Sequence, residues 1–297
     1  MFRFQIISRA ILFAILISLL QALLPSSAAF TSGPEKDKPQ ISIKKGYVAI
    51  TLIIDAELRR FTELFANCLS EGKTWAEKTN DDAAAEWRDN RRAFRGLQWF
   101  YERDYQLRSV VGHYVSVVRS DDWFDGGAHP NRHIDTILWD STAGKRVSIR
   151  PFFTETSADG QTMTALAELA KLSVAAAKLA NDIDGYEDDD RPAAQKLTAE
   201  QELSHDHFIN DGIKPRILEI GPVTLAPSTQ DGRSSGLTFH YSPYAVGPYV
   251  EGSYTVFVSW TAFRQYRHRA QRSLGASGQK AMRRSGDACR PHANVFA

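Results

Sequence analysis

The stretch from Phe239 to Gly252, Phe-His-Tyr-Ser-Pro-Tyr-Ala-Val-Gly-Pro-Tyr-Val-Glu-Gly, constrains the fold more than any other. Pro243 and Pro248 fix φ and remove two backbone donors, so the segment is neither an interior helix nor a central strand. Gly247 and Gly252 permit backbone angles closed to other residues. Tyr241, Tyr244 and Tyr249 bring large rings with polar tips, suited to a loop packed on a core or used as a contact surface. Apolar runs flank this loop, Leu237 to Tyr241 and Tyr254 to Trp260, and both read as strands.

The chain before that loop is long enough to build a real core: 297 residues, 43% of them apolar. A formal net charge of +1 gives no general argument for nucleic-acid binding. Residues 1–29 read as a secretory signal: Arg3 and Arg9, an apolar run from Ala10 to Leu24, the break at Pro25, then Ser27-Ala28-Ala29. The rival reading is an uncleaved anchor, but the run is short against the roughly 20 residues of a bilayer span. No cysteine follows it to take a lipid. A periplasmic or secreted location with no membrane span after cleavage is expected. Residues 30–40 form a polar lead-in.

Ile41 to Ile54 reads as a strand ending at Asp55, which is placed to cap a helix. Leu58, Phe61, Leu64, Phe65, Cys68 and Leu69 mark one helical face, and Thr74 to Phe94 a second helix with a solvated charged surface. Leu97 to Arg108 and Ser109 to Arg119 are strand-like. Asp121 to Asn131 is a turn cluster, with return strands over Ile134–Trp139 and Val147–Ile149. A helix spans about Thr162 to Asp182. The acidic run Asp182–Arg191 lacks the spacing of a calcium loop and reads as a solvated connection. Further elements are a short helix within Leu197–Phe208 and strands at Arg216–Ile220 and Val223–Leu225. A last helical turn falls within Thr261–Tyr266, and residues 267–297 form a basic tail that buries too little to fold alone.

Candidate chemistry is sparse. Cys68 lies on an apolar helix face and reads as a buried free thiol rather than the partner of Cys289. His129 and His133 have a zinc-like spacing on a helix, but Gly126, Gly127 and Pro130 exclude a helix there. On an extended chain the rings stand roughly 13 Å apart. His205-Asp206-His207 is a weaker candidate. Neither a Gly-x-Ser-x-Gly elbow nor a phosphate-cradling glycine loop occurs, and no cofactor or metal is expected. Trp123, Trp139 and the loop tyrosines are rings that can stack on sugars, although aromatics in strands are commonly core.

Two segments carry a resemblance. Asp125-Gly-Gly-Ala-His-Pro-Asn131 is similar to the Gly-Gly-Ala-His-x-Asn hairpin of the extracytoplasmic RsiV/PdaC-type domain family. Leu237 to Gly252 resembles that family's Phe-x-Pro-Tyr-x-x-x-Pro-Tyr-x-x-Gly segment. The family includes the outer domain of a lysozyme-sensing anti-sigma factor and the non-catalytic domain of peptidoglycan deacetylases. The resemblance runs from about Ile41 to Tyr266. Pro151-Phe152-Phe153 departs from the family's Asp-Leu-Phe turn. The short segment before the apolar run leaves no cytoplasmic anti-sigma part, and the length leaves no deacetylase domain. What the resemblance implies is the exported domain alone, acting by binding, with a lysozyme-like protein or peptidoglycan as partner.

The expected architecture is α+β. An antiparallel sheet carries helices mainly on one face, in an N-terminal part over residues 41–160 and a C-terminal part over 161–266. Gly126 and Gly127 turn the hairpin, and His129 and Asn131 hydrogen-bond neighbouring backbone. Tyr244, Pro248 and Tyr249 pack the long loop against the sheet. The expected binding residues are Asp125, Gly126, Gly127, His129, Asn131, Tyr244, Pro248 and Tyr249. The alternative is a metal- or His-dependent hydrolase or deacetylase of envelope polysaccharide using Asp125, His129 and His133, which convergence of Asp125, His129, His133 and His240 on one open point would favour.

Overall fold

A computed structural model describes residues 38–185 and 198–268. The expected signal, the acidic run beyond residue 185, and the basic tail with Cys289 from residue 269 on lie outside the described residues, whereas Arg267, expected to open that tail, is buried, bridges to Phe153 and lies over the Trp260 ring. The fold is α+β, as expected, but with two sheets among the described residues rather than one.

Ile41–Ile54 is not one strand. Gly46 and its neighbours turn the chain, so β1 (Ile41–Lys44) and β2 (Val48–Ile54) pair as an antiparallel hairpin. After Asp55 comes a short 3-10 turn, Ala56–Arg60, whose Glu57 amide donates to the Asp55 carboxylate at 2.8 Å. The next helix, α1, is continuous over Thr62–Asp89 where two helices were expected. Gly72 lies inside this helix, and an added Cβ would stand 2.6 Å from the Leu52 methyls. Leu64, Cys68, Gly72, Ala76 and Ala83 make a narrow buried stripe that lets α1 lie close on β2.

That helix is also a crossover. It allows β3 (Trp99–Val111) to pair with β2 in parallel, a departure from the expected all-antiparallel sheet. β3 and β4 (Tyr114–Phe124) form a long hairpin turning at Gly112, not at the expected Arg108–Ser109 boundary. Only a register shift between Leu107 and Ser109 marks that place. β5 (Asn131–Asp140) and β6 (Lys145–Val147) complete the order β1-β2-β3-β4-β5-β6.

Period-two alternation gives the large sheet two different faces. One face meets α1 and carries Leu52, Ile54, Tyr105, Val115, Val117, Ile137 and Trp139 in one core cluster. Beside that core is a charged lattice. Arg103 grips Asp121 through two bonds of 2.5 and 2.8 Å, and its guanidinium lies 4.7 Å from the Trp75 ring centre. Arg119 reaches Glu71 of α1 at 2.5 Å and Asp135 at 3.1 Å, and Arg146 also pairs with Glu71. Burial alone would raise the Glu71 carboxyl, but Arg146 and Arg119 hold it below the usual carboxylate range.

The other face receives the second sheet, β7 (Val223–Pro227), β8 (Ser234–Tyr241) and β9 (Tyr254–Ser259), in that order and antiparallel. Hydroxyls of the large sheet satisfy the free edge of β7: Ser116 accepts from the Leu225 amide, Thr136 from the Val223 amide, and Ser109 donates to the Leu225 carbonyl. Helix α2 (Gln161–Gly185) covers the far side, packing Met163, Leu166, Ala170 and Val174 into the largest core with Phe239, Tyr241 and Val256. Two short helices, α3 (Ala199–His205) and α4 (His207–Gly212), replace the single one expected. Asp206 separates them by capping α4: it accepts from the Ile209 amide at 3.0 Å. Arg216–Ile220, expected as a strand, is a tight loop closed by Lys214 and Glu219, with Leu218 92% exposed.

Candidate functional site

The hairpin between β4 and β5 and the long loop between β8 and β9 meet. They are far apart in sequence, and long-range sheet packing joins them: the Ile134 amide donates to Ser242 Oγ at 2.8 Å. At the tip, the His129 and Tyr249 rings stack with centroids 3.8 Å apart and 22° between planes. The Tyr249 hydroxyl donates to the Pro130 carbonyl at 2.5 Å. The same carbonyl lies 2.9 Å from His129 Nδ1. A carbonyl only accepts, so the neutral ring carries its proton on Nδ1, and Nε2 accepts from the Tyr244 hydroxyl at 3.2 Å.

Tyr244 is the exception to the expected packing. It adopts φ +68, a left-handed angle costly for a bulky residue, and stays 57% exposed. Its ring centre stands 5.6 Å from Tyr249 and 6.2 Å from His129. Pro248 and Tyr249 are half-buried, with Pro248 leading into a short 3-10 turn. Val250 beside them is 90% exposed.

Gly126 explains the hairpin's first glycine twice over. It takes φ +90, and a Cβ there would lie 2.9 Å from the Ala93 carbonyl oxygen and 3.2 Å from Trp99 Nε1. The hairpin therefore rests on the core cluster of Phe94 and Trp99. Gly127 has no positive φ, and a Cβ there would make only an ordinary 3.8 Å contact with the His129 carbonyl oxygen. Asp125 is exposed, and Asn131 opens β5 opposite Trp123 in the ladder rather than tying the turn by its side chain.

The long loop has a second anchor that sequence reasoning missed. Lys178 of α2 is 6% exposed and pairs with Asp206 at 2.5 Å and Glu251 at 3.1 Å. The Tyr254 hydroxyl donates to the same Glu251 carboxylate at 2.7 Å. Gly247 leaves room for this clamp, since a Cβ there would stand 3.0 Å from Lys178 Nζ and would collide with Glu251. The available signal was a lysine four residues after Val174 on the buried stripe of an otherwise alanine- and leucine-rich helix.

The remaining candidates scatter. His133 is exposed on β5 opposite Asp121. His240 does not join the hairpin: it is 2% exposed and bonded to Thr224 at 2.9 Å. Burial, and then the Arg108 charge, push the His240 pKa down to about 3. His207 leans on Phe208, and Asp206 between the two histidines is taken by Lys178. Among the described residues, no group of three or more His, Cys, Asp or Glu side chains is placed to hold a metal ion. Cys68 is buried and free, its thiol pushed up to about 12 by burial. Trp139 is core, and Tyr241 is buried with its hydroxyl donated to the Ile220 carbonyl. A separate groove of about 350 Å³ lies between the start of α1 and the turn Ser141–Gly144, lined by Arg60, Glu63 and Trp139. Among the described residues no helix is long and apolar enough to cross a membrane.

Fold and site together define a two-sheet α+β protein whose surface carries a fixed aromatic junction between two loops. Residues 158–261, which span α2 to β9 and hold the long loop, match the model of a family described as "Protein of unknown function (DUF3298)". The fold is similar to that of a DUF3298-family member from Bacteroides fragilis. That alignment has a TM-score of 0.50 and 14% identity, over 78% of this chain and 93% of that one. A DUF3298-family protein from Pseudomonas aeruginosa aligns with TM-score 0.43 and 15% identity, over 79% of this chain and 96% of that one. No curated protein matches. These likenesses reach the unknown-function family and no further; the finer RsiV/PdaC-type assignment is not among them.

Proposed function

We propose that this chain is an exported, non-enzymatic binding module of the cell envelope, with the junction of the 125–130 hairpin and the 242–253 loop as its contact surface. One observation carries the reading: Tyr244, a large ring, stands exposed at φ +68 while its hydroxyl bonds a histidine of the other loop. Strain of this kind persists where the surrounding structure over-determines it, and it clusters at ligand-contact sites. The signal-like residues 1–29 support export. The likeness of both loop motifs to the RsiV/PdaC-type domain supports an envelope partner, either peptidoglycan or a protein such as lysozyme. The test is sedimentation of the purified chain with peptidoglycan sacculi, alongside titration with lysozyme. Saturable binding to one is expected, and binding to neither refutes the module.

A further inference from the structure

We infer that the exposed face of Tyr244 is a stacking subsite for the pyranose ring of a glycan. This inference rests on the binding-module reading and names the ligand class for its surface.

Residues 125–130 and 242–253 contain no lysine or arginine. A ligand that carries phosphate would find no counter-charge there. Of the nearby acids, Glu251 is committed to Lys178 and Asp122 to Arg132 through bonds of 2.6 and 3.1 Å, while the exposed Asp125 carries a negative charge that further disfavours an anionic ligand. Besides the Asp125 carboxylate, the side chains left for recognition are rings with polar edges, together with the apolar Val250. A pyranose matches that set. It has a C–H face for a ring and an equatorial rim of hydroxyls for polar edges, and it carries no charge to desolvate.

Preorganisation is the second part. An exposed tyrosine ordinarily samples several rotamers and loses that freedom on binding. Tyr244 is tied at its hydroxyl to His129 Nε2, His129 is stacked on Tyr249, and Tyr249 is tied to the Pro130 carbonyl. Below them the Lys178–Glu251 pair and the Tyr254 hydroxyl fix the loop's far end. The ring is therefore presented with most of its ordering cost already met by the fold.

The test measures chitotetraose binding by calorimetry and sacculus binding by sedimentation, using wild type, Tyr244→Ala and Tyr244→Phe, each first checked for an unchanged melting temperature. Wild type is expected to bind both probes. Tyr244→Ala should lose at least tenfold in affinity, because the stacking face is gone. Tyr244→Phe keeps the ring but loses the bond to His129 Nε2, so it should lose about threefold, less than Tyr244→Ala; a loss as large as that of Tyr244→Ala would put the contact in the hydroxyl and overturn the inference. Two further results overturn the inference while leaving the module intact: sacculus binding that Tyr244→Ala does not weaken, or lysozyme binding without any response to saccharide. Failure to bind sacculi, saccharide and lysozyme alike removes both.

Discussion

The stack of His129 on Tyr249 makes a quantitative prediction about how the two loops are joined. Tyr249→Phe keeps the ring and removes the 2.5 Å bond to the Pro130 carbonyl. A neutral hydrogen bond nets about 0.5–1.5 kcal/mol, and this one is exposed, so the low end, roughly 0.5 kcal/mol of destabilisation, is expected. His129→Ala removes the stacked partner, the Nδ1 contact to the same carbonyl, and the acceptor for Tyr244. Aromatic pairs are worth about 0.5–1.5 kcal/mol beyond their buried area. A double-mutant cycle over His129→Ala and Tyr249→Ala should therefore return a coupling of about 1 kcal/mol. Urea unfolding reads it as a shift in midpoint at constant slope, followed by tyrosine fluorescence. Hydrogen exchange at residues 244–252 should rise in either single variant and little further in the double. A coupling below about 0.3 kcal/mol, within ordinary additivity, would mean that the loops merely lie side by side, and the reasoning about a shared junction would fail.

Gly126→Ala should cost about 1–3 kcal/mol, since it opposes φ +90 and meets the Ala93 carbonyl; a change in Trp99 emission would accompany it, and an unaltered melting temperature would contradict it. His240 binds a proton more weakly folded, at about 3, than unfolded, at about 6.5, so the unfolded state takes up more protons between those values. Stability is whole above about pH 6.5 and falls as pH drops, by roughly 2 kcal/mol at pH 5 from this residue; His240→Asn should flatten that slope in urea melts run from pH 7 to 5. Lys178→Met leaves the Asp206 and Glu251 carboxylates without their cation and should destabilise by about 2–4 kcal/mol, discounted for Glu251's partial exposure. Limited proteolysis should then cut within 242–253 first, and a cut elsewhere would argue against the clamp.

What the sequence determined by itself was local. Proline and glycine restrict φ within one residue of themselves, so the 239–252 loop and the 125–131 hairpin were legible without any partner. Apolar periodicity placed α2 and the strands β7, β8 and β9 within a few residues, and Cys68 on a buried face. Errors fell where a local signal had two readings. The apolar face over Leu58–Leu69 and the charged stretch from Thr74 read as two helices, but Gly72 between them lies close over Leu52 within one helix. The strand β2 is apolar enough for either pairing direction, and only the crossover through α1 makes it parallel to β3. Arg216–Ile220 has strand-like residues, but among the described residues no strand pairs with it.

Only the tertiary structure decided which candidates meet. It brought His129 against Tyr249 and Tyr244, sent His240 into the core, left His133 on the surface, and recruited Lys178 from a helix that nothing in the linear order tied to the loop. The reason is physical: turn chemistry is fixed by a residue's own dihedrals, whereas contacts between distant segments depend on how two sheets pack, which is a sum over all the core side chains together.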